Sequence, residues 1–131
     1  MAHDDRAEEV AAWLSRAGQD LQAAGVVVAV TPPLLSDAAF HCQQAVEKSL
    51  KAFLTRHDHP FRKTHDIGEL GVACVAYDPS LEDLVRPAAP FTEYVWRFRY
   101  PGDVFEPDRV EVEEALQLAR AIVDAITAGV G

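Results

Sequence analysis

Residues 40–54, Phe-His-Cys-Gln-Gln-Ala-Val-Glu-Lys-Ser-Leu-Lys-Ala-Phe-Leu, constrain the fold more than any other stretch, because they form a helix with apolar anchors on two sides. Leu35, Ala38, Cys42, Ala45, Ser49 and Phe53 recur at the three-and-four spacing that turns one face of an α-helix toward a core. Phe40, Gln43, Glu47, Leu50 and Leu54 make a second stripe beside it, mixing apolar anchors with an amide and a carboxylate. A helix of this kind needs neighbours on two sides. The second stripe suits a helix packed on two sides. The third face carries His41, Gln44, Lys48 and Lys51, one imidazole, one amide and two ammonium groups in a row. Spacing alone assigns that row to a solvated surface, where the Glu47–Lys51 pair adds a few tenths of a kcal/mol. The same groups could receive a phosphate or a nucleotide.

The rest of the chain supplies the neighbours. Ala7, Val10, Ala11, Leu14, Ala17, Leu21, Ala24 and Val28 keep helical spacing from Asp4 to about Val30, with acidic residues at the start to complement the helix dipole. Thr31-Pro32-Pro33 stops this helix, and Ser36 or Thr31 is available to cap the next, which runs to about Arg56. Thr64 caps a third helix from His65 to about Tyr77. Asp78-Pro79-Ser80 opens a short helix with Leu81, Leu84 and Val85 inward, and Pro87 and Pro90 segment the chain beyond it. Phe91, Tyr94, Val95 and Phe98 form a further stripe before the turn at Tyr100-Pro101-Gly102-Asp103. Pro107-Asp108 opens a last helix, with Val112, Ala115, Leu116, Ala119, Ile122, Val123 and Ile126 inward and Gly129 at its end. No run alternates with period two. The pattern predicts an all-α, up-and-down antiparallel bundle of four to five helices, one domain over residues 1–131.

At 131 residues the chain can bury a core without staples, and its 49% hydrophobic and 25% charged residues are ordinary for a globular protein. The net charge of −9 repels nucleic acid and anionic membranes, so any polyanion contact must be local. Candidate patches are Lys48, Lys51, Arg56, Arg62 and Lys63 in one region and Arg97 with Arg99 in another. Cys42 and Cys74 sit at apolar helix positions, as free thiols of a reduced, cytoplasmic protein would. No apolar run is long enough to span a bilayer, so no membrane contact is expected.

Glycine-rich phosphate loops and a serine nucleophile elbow are both missing. His57, His59, His65 and Asp66 are metal ligands by type, but their spacing fits no closed zinc template and Pro60 interrupts them, so no metal and no cofactor is expected. Thr64-His65-Asp66 stands at a helix N-terminus, where a cap or an anion is favoured. Tyr94, Trp96, Arg97, Phe98, Arg99 and Tyr100 interleave rings with guanidinium groups. Such a stretch either stacks a base and clamps a phosphate, or divides between core rings and cations at a helix C-terminus.

In order and spacing these motifs resemble the HEPN family over nearly the whole chain. The carriers are Trp13-Leu14 with Ala17, Asp20 and Leu21; Phe40-His41 with Gln43-Gln44-Ala45, Glu47-Lys48 and Leu50-Lys51-Ala52; Thr64-His65-Asp66; Arg99-Tyr100-Pro101; and Glu113-Glu114-Ala115-Leu116. The resemblance implies a helical homodimer with a nucleotide or RNA site in a cleft, and a partner in the form of a minimal nucleotidyltransferase within a toxin–antitoxin-like system. It also turns the polar row of the second helix into part of that cleft. RNA-cutting members carry an arginine followed four to six residues later by histidine. Here no histidine follows Arg97 or Arg99, and only two residues separate Arg62 from His65, so no catalytic role is carried over. The expected binding residues are His41, Gln44, Lys48, His65, Arg97, Arg99 and Tyr100. A metal-independent ribonuclease toxin using His65 with Arg97 or Arg99, and a module serving only protein interaction, are the alternatives.

Overall fold

In a computed structural model, which describes residues 2–95 and 106–130, the described residues form helices and connecting loops, with no strand. The order is α1 (Ala2–Ala29), α2 (Leu35–Arg56), α3 (Ile67–Tyr77), a 3₁₀ turn (Pro79–Leu81), α4 (Glu82–Val85), a 3₁₀ segment (Arg86–Val95) and α5 (Arg109–Val130). The expected all-α bundle is the observed one.

Helix α1 buries Val10, Ala17, Ala24 and Val28, with Leu14 and Leu21 partly buried. Their alternating spacing of four and three is that of long helices lying nearly side by side. Ala7 and Ala11 remain exposed, so the buried stripe is narrower than the apolar pattern. The inward face of α5 is the expected one, from Val112 to Ile126. Between these two lies α2, which also contacts α3 and the 3₁₀ segment. Both of its apolar stripes are therefore covered by its own chain. Leu50 and Leu54 of the second stripe are fully buried against this core, and no second subunit is needed to cover them. Cys42 and Cys74 are buried free thiols, and burial pushes both up to about 12.

Several boundaries differ from the sequence expectation. Helix α2 is preceded by Leu34, without a side-chain cap from Ser36 or Thr31; the turn closes instead through the Leu34 amide donating to the Val27 carbonyl at 2.9 Å. Asp66, not Thr64, caps α3, accepting from the Glu69 amide at 3.1 Å, while Thr64 Oγ1 accepts from the Asp66 amide. A carboxylate both bonds the free amides and meets the positive helix end, which favours it over a hydroxyl. The stripe around Phe91 is 3₁₀ and not α-helical. Pro87 and Pro90 remove the amides an α-helix would use, and Val85, Ala88, Phe91 and Tyr94, all buried, repeat every three residues as a 3₁₀ turn requires. Helix α5 passes Gly129 and ends at Val130, and its start is capped by Asp108, which accepts from the Glu111 amide at 2.8 Å. Trp96, Arg97, Phe98, Arg99 and Tyr100 lie outside the described residues.

Helix α2 ends in a Schellman arrangement. The His59 amide donates to the Leu54 carbonyl and the Asp58 amide to that of Thr55, with Asp58 at φ 53°. A left-handed non-glycine residue carries a steric cost of about 1–2 kcal/mol, partly offset by the lower chain entropy of a non-glycine residue. Asp58→Gly is expected to stabilise the fold by about 0.5–1 kcal/mol, read from the urea midpoint. Its exposed ion pair with Arg6, at 3.3 Å, contributes too little to reverse that sign.

Candidate functional site

Polar residues inside an apolar stripe must find partners or carry a desolvation cost. On α2, Gln43 and Glu47 do so one turn apart by gripping the residue just before the α3 cap. Gln43 Nε2 donates to the His65 carbonyl at 3.0 Å, and Glu47 Oε1 lies 2.8 Å from His65 Nδ1. Gln43 Nε2 also donates to Glu47 Oε1 at 3.0 Å, and Gln44 Nε2 donates to Gln43 Oε1 at 2.6 Å. Lys51 Nζ reaches Glu47 Oε2 at 3.0 Å.

The Glu47–Lys51 pair is thus no surface ornament, since both side chains are at least nine-tenths buried. Its ammonium group stands 5.4 Å from the ring centroid of Trp13 and 5.8 Å from that of Phe61, a distance at which aromatic faces attract a cation. Lys51 therefore leaves the solvated row to which its spacing assigned it. Trp13 uses its ring in this way while its Nε1 is buried without a partner among the described residues.

A second carboxylate organises the other end of the row. Asp20, buried on α1, holds His41 Nδ1 at 2.8 Å with one oxygen and Lys48 Nζ at 2.6 Å with the other. His41 and Lys48 are two turns apart on α2, so one acid crosses from the neighbouring helix to bind both.

The structure consequently brings His41 and Lys48 together through Asp20, and links Gln44 to His65 through Gln43 and Glu47. Arg97, Arg99 and Tyr100, the remaining expected binding residues, lie outside the described residues. Asp20, Gln43, Glu47 and Lys51 were not among the expected site residues. The signal for Gln43 and Glu47 was their place in an apolar stripe; for Asp20 it was an acid directly beside Leu21 on the inward side of α1.

Both histidines present the same chemistry. A buried carboxylate engages Nδ1, and Nε2 has no hydrogen-bond partner among the described residues. The His65 side chain is 57% exposed and that of His41 30%, so each ring has a solvent side. Such pairing fixes the tautomer and leaves Nε2 to accept or donate a proton. Two carboxylates face two lysines, so each lysine of the cluster is matched by an acid. Among the described residues no group of three or more His, Cys, Asp or Glu side chains could hold a metal ion.

Burial alone pushes the Glu47 carboxyl upward. Hydrogen bonds from Gln43, His65 and Lys51, with the Lys51 charge, outweigh it and hold the group below the ordinary value of 4.5. The folded state therefore stays ionised while the unfolded chain takes up a proton. The stability from Glu47 is fully present above the ordinary value and fades as pH falls through the lower folded value. Glu47→Gln is expected to destabilise the fold at neutral pH by about 3 kcal/mol, because Lys51 keeps its buried charge without a counter-ion. In denaturation titrations the variant should also lose part of the decline in stability that the wild type shows below pH 4.5.

Residues 10–128 match the family described as HEPN domain. Neither a curated protein nor a solved structure matches the chain.

Proposed function

The chain belongs to the HEPN domain family, and from that membership we propose that it binds a nucleotide or RNA phosphate group on the α1–α2 face. The observation that carries this reading is the pair of histidines held at Nδ1 by buried carboxylates, with Lys48 on the same Asp20 carboxylate as His41 and Gln44 joined through Gln43 to Glu47, the carboxylate that holds His65. Lys48 spends one of its three donors on Asp20 and keeps the others for an anion. Arg97 and Arg99 are assigned to phosphate and Tyr100 to a base by residue type.

The homodimer and the minimal nucleotidyltransferase partner belong to the same proposal, as do the toxin–antitoxin context and a cytoplasmic location. Two free, buried thiols suit a reducing compartment, and among the described residues no helix is long and apolar enough to cross a membrane. What supports a homodimer is α3, whose eleven residues include one charge, Glu69. Val72 is 75% exposed beside a groove of 390 Å³ that runs between α3 and α4. Glu82 and Arg86, which also line this groove, pair with each other within the chain at 2.6 Å, so its apolar lining is what a second copy would cover.

Calorimetry with AMP, ATP and inorganic phosphate tests the site. Binding that is at least tenfold weaker in Lys48→Ala is the expected result. No heat with any of them would sink the reading.

One observation also favours a ribonuclease. The Glu47–His65 pair has the geometry of an oriented general base: a buried ionised acid at Nδ1 and a free Nε2. If His65 acts in this way, cleavage of single-stranded RNA in EDTA should fall by about 10²–10⁴-fold in His65→Ala. Equal cleavage by the variant, or none by the wild type, excludes it.

A further inference from the structure

The two lysine–carboxylate pairs of the α1–α2 face are built differently. Lys51 is sealed: its side chain is 8% exposed, it lies over the rings of Trp13 and Phe61, and its partner Glu47 is met by Gln43 and His65 as well. Lys48 stands at the solvent edge. Its side chain is 20% exposed, and Asp20 holds its ammonium group at 2.6 Å. The other Asp20 oxygen keeps His41 Nδ1 at 2.8 Å.

This arrangement makes one of the two pairs releasable. Lysine carries its charge on a flexible four-carbon stem and can turn toward water without moving its helix, whereas the short, buried side chain of Asp20 cannot follow it off α1. A buried carboxylate stripped of every partner carries a heavy desolvation cost. Asp20 would not be stripped, because His41 remains on its second oxygen when Lys48 leaves. Toward Lys48 it offers what a phosphate offers, an oxygen bearing negative charge.

We propose that Asp20 is an internal competitor for the anion, holding Lys48 until a ligand draws the ammonium group away. The donors that Lys48 keeps make the first contact, and the exchange follows as the side chain turns out. This rests on the phosphate-binding reading and narrows its ligand. Breaking the Asp20–Lys48 pair costs the same whichever anion arrives, while the attraction of that anion for Lys48 grows with its charge. A terminal phosphate carries roughly two negative charges at neutral pH and a diester about one. The exchange therefore favours a terminal phosphate, such as that of a mononucleotide, over an internal diester, and Asp20 sets that threshold.

Calorimetry with AMP and with its 3′,5′-cyclic diester tests the exchange. The wild type is expected to bind AMP about tenfold more tightly than the cyclic diester, since only AMP brings the second charge. Asp20→Asn removes the competing charge and leaves an amide oxygen for His41, and it should bind both nucleotides about tenfold more tightly than the wild type. A variant that still unfolds cooperatively in urea yet binds AMP no better overturns the proposal, and so does equal affinity of the wild type for the two nucleotides. Should Asp20→Asn fail to fold, a crystal structure of the wild type with AMP decides: Lys48 Nζ turned from Asp20 to the phosphate is the expected arrangement, and Lys48 still 2.6 Å from Asp20 overturns it. In each of these reversals, AMP binding that weakens in Lys48→Ala leaves the phosphate site standing. If neither nucleotide binds the wild type or the variant, both readings fall.

Discussion

A single buried carboxylate, Glu47, fixes most of what surrounds it. A charge removed from water must be matched by donors, and Glu47 draws them from three places: Gln43 one turn earlier, Lys51 one turn later, and His65 from the segment entering α3. The first two lock side chains along one face of α2. The third sets where α3 begins relative to α2, because Gln43 holds the His65 carbonyl while Glu47 holds its ring. The next residue, Asp66, can then cap α3, and the Ile67 amide reaches Thr92 of the 3₁₀ segment at 3.0 Å. Position, tautomer and helix start all depend on one ion.

The second carboxylate repeats the device between helices and, with the first, governs the electrostatics of the face. Asp20 and Glu47 cancel Lys48 and Lys51, which removes the positive field a row of lysines would otherwise present. On a chain of net charge −9, attraction over distance is thus not available on this face. Recognition must depend on short-range donors with fixed geometry.

The fold was legible because it rests on repetition. The inward residues of α5 and the lengths of α1 and α2 come from apolar spacing, which tertiary contacts reinforce. Caps were harder to read, since Thr64 and Asp66 can both accept from a helix amide and only the approach of α2 to His65 decides between them. The 3₁₀ segment was hidden because Phe91, Tyr94 and Val95 fit either helical period, although Pro87 and Pro90 exclude the α form. At the site, His41, Gln44, Lys48 and His65 were visible as residue types. Asp20 was visible as an acid beside Leu21, but nothing in a linear pattern says that an acid on one helix will sit between two side chains on another.

The polar residues of the second stripe show why a pattern that reads as an interface can be internal. Gln43 and Glu47 resemble the polar specificity positions of a partner-facing helix, yet both are satisfied within the chain. Their burial depends on α3 lying across them, and α3 in turn is apolar on the side facing away from α2, where Val72 stands in solvent. Covering α2 has therefore moved the unmet hydrophobic demand one layer outward and has not removed it. A helix with one charge in eleven residues is stable at a surface only while something else meets that demand or the rest of the core is strong enough to hold it. Here the core reaches it through Ile67, Leu70 and Cys74, all at most 1% exposed. The anchoring side of α3 is fixed by packing, which leaves its outer side open to selection for contact with another surface.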